Sequence, residues 1–359
     1  SMGQATIGQV GKNCQRPHFY IKNKSMKSII TNGGGLDNLK IVESPDIQPK
    51  KGEVLVKWRA TSLNFHDYLV AIGGIPVPTD RIPMSDGAGE IIGIGEGVTE
   101  WQVGDKVMSL FFPNWIDGRP TVAKTKGISG ETINGYMTEQ SCVSAASLTK
   151  IPTGYSFAEA ATLPCAALTA WRGLVTEGNI KAGDTVLIEG TGGMSIFGLQ
   201  IALAAGAQVF ATTSSEAKAE RLKAMGVTEV VNYKTDTRWG KTINKLTGGG
   251  VNHVLDVGGG STMQQSIEAA AIGGSIISIG ILGDGRKGSI SFPKLFFKHL
   301  KLTGIAVDSR LSQEAMIKAI NLNGFKPVID RSFGFDELAD AFRYQETGQH
   351  FGKIVLEWN

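Results

Sequence analysis

The chain has 359 residues, 42% of them apolar and 19% charged, with 47 glycines and 12 prolines. That mixture is globular and long enough for two cores at about 150 residues per domain, and it excludes disorder, collagen and coiled coil. Thirty-six lysines and arginines against 33 acids leave a net charge of +3 with no charged block, so charge gives no support to nucleic-acid binding.

The three cysteines, Cys14, Cys142 and Cys165, lack CxxC spacing. This fits a reducing compartment, with the cytoplasm as the expected location, and excludes a disulfide framework or a compact zinc knuckle. The apolar stretches Ile196 to Ala211 and Ala269 to Leu282 are cut by Gln200, Gly206, Gly273 and Gly274, so no membrane span is expected. Ser1-Met2 reads as a cloning scar. Residues 3 to 25 carry Lys12, Arg16, Lys22 and Lys24 without an apolar signal-peptide core, and the fold is expected to begin near Met26.

From Met26 to about Pro152 the strand signals are short and β-branched: MKSIIT, LKIVE, EVLVKWRATSLN, GAGEIIGIG, DKVMSL and GYMTEQSCV. Such spacing predicts a β-barrel or sandwich. After Pro152, helical stretches alternate with TVLIEG, AQVFATTS, TEVVNY, VNHVLDVGG, GSIISIGIL and LKLTGIAV. Alternation of this kind means βαβ units and a parallel sheet, and six strands is the doubly wound dinucleotide-binding number. Gly206 and Gly226 follow helical stretches where a left-handed cap wants glycine. The last segment, Asp308 to Asn359, ends in the alternating strand FGKIVLEW and is expected to return to the first domain. The expected division is thus 26–155 with 308–359, and 156–307.

TVLIEG runs into Gly190-Thr191-Gly192-Gly193-Met194-Ser195 and then a helix. Glycine makes the tight turn and lets backbone approach a pyrophosphate, whose charge sits at a helix N-terminus; Ser195 takes the third fingerprint position. Where NAD enzymes place an acid after the second strand, this chain has Ser214, Ser215 and Lys218. Hydroxyls and a cation suit a 2′-phosphate, so NADP(H) is expected ahead of NAD(H). Ser215 also reads as the cap of the next helix. Gly258 to Gly260 and Gly280 to Gly283 fall at strand ends facing the cofactor crevice.

From Met26 onward the chain resembles the medium-chain dehydrogenase/reductase superfamily, in particular its zinc-free quinone-oxidoreductase-like and enoyl-reductase-like branches. The likeness rests on Leu63-Asn64-Phe65-His66-Asp67, on Asp86-Gly87-Ala88-Gly89-Glu90 through Val103-Gly104-Asp105-Lys106-Val107, on Leu163-Pro164-Cys165 through Trp171, and on His350-Phe351-Gly352-Lys353. The resemblance implies an α/β architecture, with a GroES-like β-barrel catalytic domain beside a Rossmann domain and the active site in the cleft between them. It also matches Lys218 and Tyr233 to a lysine and a tyrosine that hold the 2′-phosphate in NADPH-dependent quinone reductases, and Thr169 to a threonine packed on the nicotinamide. The expected cofactor set is Thr169, Gly190, Gly192, Gly193, Met194, Ser195, Ser214, Ser215, Lys218, Tyr233, Val257, Gly258, Ile279, Gly280, Ile281 and Lys353.

Zinc-dependent members hold their metal with a cysteine, a histidine and a later cysteine or aspartate. The matching positions here are Asn64, Ser85 and Cys165, with Asp86 replacing the glutamate beside the histidine. An amide, a hydroxyl and one thiol make a poor zinc site, and the four cysteines of the structural zinc lobe are missing, so no metal is expected. Without a Lewis acid, hydride addition suits acceptors that delocalise charge, namely quinones and α,β-unsaturated carbonyls.

Candidate donors are Asn64, His66 and Tyr68, with Asp67 as an orienting residue or a direct participant. His66 also reads as a surface histidine, and Cys165 as a small buried residue. Ile75 stands where many metal-free enoyl reductases carry a tyrosine in a GxYP-like turn, which argues against that mechanism for fatty enoyl thioesters. The alternatives to a quinone or enone reductase are a zinc-free alcohol or aldehyde dehydrogenase and a non-enzymatic NADPH-binding protein. The partner is a small-molecule substrate, and the resemblance implies a homodimer through the edge strand LKLTGIAV.

Overall fold

The computed structural model describes residues 25–282 and 285–359. Residues 1–24, with Cys14, and Gly283 lie outside the described residues, and Ser25, the last residue of the leader, already belongs to the first strand. β1 (Ser25–Ile30) and β2 (Lys40–Pro45) form an antiparallel pair. β3 (Glu53–Ser62), β4 (Gly87–Ile94), β5 (Lys106–Ser109), β6 (Gln140–Ser144) and β7 (Leu148–Lys150) follow. Near-continuous burial of β3 reflects its central place: it pairs with β4 and β6, and Val54, Val56, Trp58 and Ala60 are fully buried. Helix Phe65–Ala71 leaves the end of β3 directly.

The second sheet comprises β8 (Thr185–Glu189), β9 (Gln208–Thr213), β10 (Glu229–Asn232), β11 (Val251–Asp256), β12 (Ala270–Ser278) and β13 (Lys301–Gly304). All are parallel, in the order β10-β9-β8-β11-β12-β13. That is the doubly wound order, with its reversal between β8 and β11. The central strands β8, β9 and β11 are covered on both faces and read as near-continuous apolar runs, while β13 at the edge is largely exposed. In β8, Val186 and Ile188 join one core cluster while Leu187 joins the other. Each such side chain contributes roughly 1.5–3 kcal/mol by burial.

β14 (Ile329–Phe333) and β15 (Lys353–Glu357) close the chain. β15 pairs antiparallel with β3 and parallel with β14, extending the first sheet to the order β14-β15-β3-β4-β5-β7. Among the described residues the two ends of this path, β14 and β7, do not pair. Gln313, fully buried on helix Arg310–Asn323, donates to Ser109 O at 3.0 Å and Thr149 Oγ1 at 2.8 Å, tying that helix to β5 and β7. Among the described residues, no helix is long and apolar enough to cross a membrane.

Candidate functional site

β8 ends at Glu189, Gly190 turns with φ +72°, and helix Gly193–Ala204 starts from Gly192 as its N-cap. Around Gly190 and Gly192 nothing lies within 4 Å of where a Cβ would stand, so the turn offers open backbone beside a helix N-terminus. Ser195 Oγ donates to Glu189 O at 2.7 Å, locking helix to strand. The close helix–sheet approach expected of a third glycine falls to Gly198, whose Cβ would stand 2.6 Å from Leu255 Cδ1. Met194 packs half-buried against the core, and Thr169 is buried in the turn Leu168–Trp171.

Past β9, Ser215 caps helix Glu216–Ala224 by accepting from the Lys218 backbone N–H at 3.3 Å. Its helix-cap role is therefore present, whatever else its hydroxyl does. Lys218 Nζ donates to Gly348 O at 2.7 Å, and burial lowers its pKa. Tyr233 is 42% exposed, and its backbone N–H bonds Thr213 O at 3.1 Å next to Ser214. At the far side of the crevice, Leu282 N–H bonds Val257 O at 3.0 Å, and a Cβ on Gly280 would stand 2.7 Å from that oxygen. Val257, Gly258, Ile279, Gly280 and Ile281 thus cluster past the ends of β11 and β12.

A feature that sequence reasoning missed lies beneath this turn. Ser266 Oγ sits 2.7 Å from Glu189 Oε1 and 2.6 Å from Asp256 Oδ2, both carboxyls being buried. One hydroxyl has one proton to give, so a second proton is needed. Burial and the facing charge of Asp256 push Glu189 up, burial pushes Asp256 up as well, and the pair shares that proton. The signal was available: TVLIE and VNHVLD are apolar strands that each end on an acid.

The second cluster gathers where the two sheets meet. Asn64, N-cap of Phe65–Ala71, donates its amide Nδ2 to Asp86 Oδ2 at 2.9 Å and Ser85 Oγ at 3.1 Å. Its Oδ1 accepts from Lys353 Nζ at 2.7 Å. Both amide hydrogens are thereby engaged. Asp67 is buried and accepts from the Asn64 and Ser85 backbone N–H groups at 3.0 and 2.8 Å, which fixes the segment's shape. Asp86 Oδ2 also accepts from Cys165 N–H at 3.2 Å, while Asp86 Oδ1 is buried without a partner. Burial pushes Asp86 up to about 7, against the opposing charge of Lys353.

His66 is far from a free surface histidine. Its Nε2 lies 2.6 Å from Glu131 Oε2 and its Nδ1 3.5 Å from Asp67 Oδ1, with the ring edge-on to Phe111. Burial lowers its pKa, but the two carboxylates outweigh burial and raise it to about 9. Tyr68 turns elsewhere: its hydroxyl donates to Glu346 at 2.7 Å. Glu131 comes from a loop 65 residues downstream, and no local pattern marked it.

Zinc does not fit these groups. Burial and the nearby Asp86 charge push the Cys165 thiol well above its ordinary value, which opposes formation of the thiolate that zinc binds. Asn64 and Ser85 are bonded to each other, and the Lys353 ammonium at 2.7 Å would repel a divalent cation. Among the described residues, no group of three His, Cys, Asp or Glu could hold a metal ion.

Comparison with known proteins agrees with this architecture. Residues 50–153 match the alcohol dehydrogenase GroES-like domain, and residues 193–322 the zinc-binding dehydrogenase family. A zinc-type alcohol dehydrogenase-like protein of Schizosaccharomyces pombe is 40% identical over 90% of this chain and 96% of its own length. An acryloyl-coenzyme A reductase of Metallosphaera sedula is 28% identical over 92% of this chain and 99% of its own. A solved structure from Sinorhizobium meliloti 1021, proposed to be an alcohol dehydrogenase, is 36% identical, with TM-score 0.87, covering 93% of this chain and 99% of that one. The chain belongs to the zinc-type alcohol dehydrogenase-like group of the medium-chain dehydrogenase/reductase superfamily, an α/β fold with a GroES-like domain, and is an NAD(P)H-dependent oxidoreductase.

Proposed function

We propose that this oxidoreductase uses NADPH, without metal, to reduce a quinone or an α,β-unsaturated carbonyl. The observation that carries the reading is the closed set of Asn64, Ser85 and Asp86 around the Lys353 ammonium, where a zinc enzyme would need three open ligands. The acryloyl-coenzyme A reductase relative lends support, since an acryloyl group is a conjugated carbonyl. The open glycine turn at Gly190 and Gly192 suits a pyrophosphate, and Ser214, Lys218 and Tyr233 suit a 2′-phosphate. Bound there, the cofactor supplies hydride.

The chain's own residues handle the oxygen. As hydride reaches the acceptor carbon, the conjugated electron pair moves onto the carbonyl oxygen, and a proton must follow. His66, charged at neutral pH between Glu131 and Asp67, holds that proton and recovers it from solvent through its partly exposed ring. Asp67 and Asn64 act as positioning residues.

The antiparallel pairing of β15 with β3 supports a division into 26–155 with 308–359, and 156–307. Cytoplasmic location and a homodimer belong to the same reading. β13 ends its sheet, and Phe292, Phe296 and Phe297 stand exposed on the helix before it, a surface suited to a second copy. Light scattering at twice the monomer mass is the expected result.

The deciding experiment measures bound metal by elemental analysis alongside NADPH oxidation against quinones, enals, aldehydes and simple alcohols. Turnover confined to quinones or enals, with substoichiometric metal, is expected. One equivalent of zinc together with alcohol oxidation would sink the proposal.

A further inference from the structure

The cation that zinc members place in this cleft has no ligands here, yet the site is not without positive charge. Lys353 opens β15, and Gly352 N–H bonds Thr191 O at 2.9 Å, which seats the strand's start on the glycine turn. From there the methylene stem of Lys353 crosses Gly193, through the space a Cβ at Gly193 would fill. Its Nζ reaches Leu63 O at 2.5 Å and Asn64 Oδ1 at 2.7 Å. An ammonium has three donors, and two are engaged. Asn64 has spent both amide hydrogens, so Lys353 is the charged group in this cluster with an N–H still to give.

Lys353 is only 4% exposed, and an isolated buried ammonium would be costly. Burial lowers the Lys353 pKa, and the carboxyls of Asp86 and Asp67 offset part of that cost. Asp86 keeps one oxygen buried and unpartnered beside the same amide, so the cluster is incomplete as it stands. The unengaged Lys353 N–H calls for one more acceptor to complete it.

We infer that Lys353 takes the place of the metal cation: it fixes the Asn64 amide, and its third N–H binds the carbonyl oxygen of the acceptor as negative charge grows there. The inference rests on the reduction proposed above and names the group that stabilises its oxyanion. No bond to Lys353 is made or broken. It remains an ammonium throughout, while His66 supplies the proton. Its role is then different from the cofactor contact expected from sequence.

An oxyanion probe tests this without turnover. Binding of 4-nitrophenolate to the NADP⁺-loaded protein is titrated by absorbance for the wild type, Lys353→Met and Lys353→Arg, and NADPH affinity is measured by fluorescence. Loss of a charge-assisted hydrogen bond predicts that Lys353→Met weakens the phenolate about tenfold or more, with NADPH affinity within about threefold and Lys353→Arg intermediate. Circular dichroism verifies folding, and Lys353→Gln replaces the methionine variant if that fails to fold. Absence of phenolate binding in the wild type overturns the inference. So does NADPH affinity falling as far as phenolate affinity, or phenolate affinity unmoved. If the phenolate result holds while no quinone or enone is reduced, the proposed reaction fails and the oxyanion site stands.

Discussion

At the residue scale, the charge on His66 is set by competition between burial, which opposes it, and two facing carboxylates, which win. The folded pKa of about 9 lies above the unfolded 6.5, so this pairing stabilises the fold fully below about pH 6.5 and loses that stabilisation as pH rises through 9. Glu131→Gln removes one partner. Its urea midpoint should fall well below the wild type's at pH 6, by an amount corresponding to about 1–3 kcal/mol, and the gap should narrow by pH 9.5. A gap independent of pH would mean that His66 is neutral in the folded protein.

Helix Gly193–Ala204 shows at the element scale how one missing side chain sets the spacing of a layer. Alanine at Gly198 would gain about 1 kcal/mol of helix propensity. Its Cβ, however, would stand 2.6 Å from Leu255 Cδ1 and 3.4 Å from Ile188 Cγ2, both in fully buried side chains that would have to shift within a packed core. Overpacking costs about 1–3 kcal/mol, so Gly198→Ala should lower the thermal midpoint by a few degrees, and a rise would show that the helix floats free of the sheet. The same element shows which parts could be read in advance. The central strands of the parallel sheet were legible because burial on both faces leaves an apolar run such as TVLIE, whereas the edge strand β13 is largely exposed. β14 was not: IDRSF is half-exposed and polar, held by its neighbour β15 and carrying no pattern of its own. β7 is three residues long, too short to show a period. In the site, the glycine turn and Asn64 were legible from local motifs, whereas the Lys353 contact joins residues 289 apart and depends on how β15 docks.

The whole molecule works by bringing its last 50 residues back across both sheets. β15 completes the first sheet, Gly352 rests on the turn of the second, and Gly348 O receives Lys218 Nζ at 2.7 Å. The pocket proposed for the 2′-phosphate therefore has walls from both bodies, and Lys218 reaches it already tethered and partly desolvated, its pKa lowered by burial. A phosphate dianion must compete with one carbonyl for that ammonium and should win, because the attraction between opposite charges adds to the hydrogen bond. Lys218→Met should then raise KM for NADPH by about 10–100-fold, the equivalent of about 1.4–2.7 kcal/mol, with KM for NADH changed less than about threefold. Steady-state assays with both cofactors measure the ratio directly. Equal losses for the two would assign Lys218 to holding Gly348 and the C-terminal segment, and a wild type that prefers NADH would remove the 2′-phosphate pocket altogether.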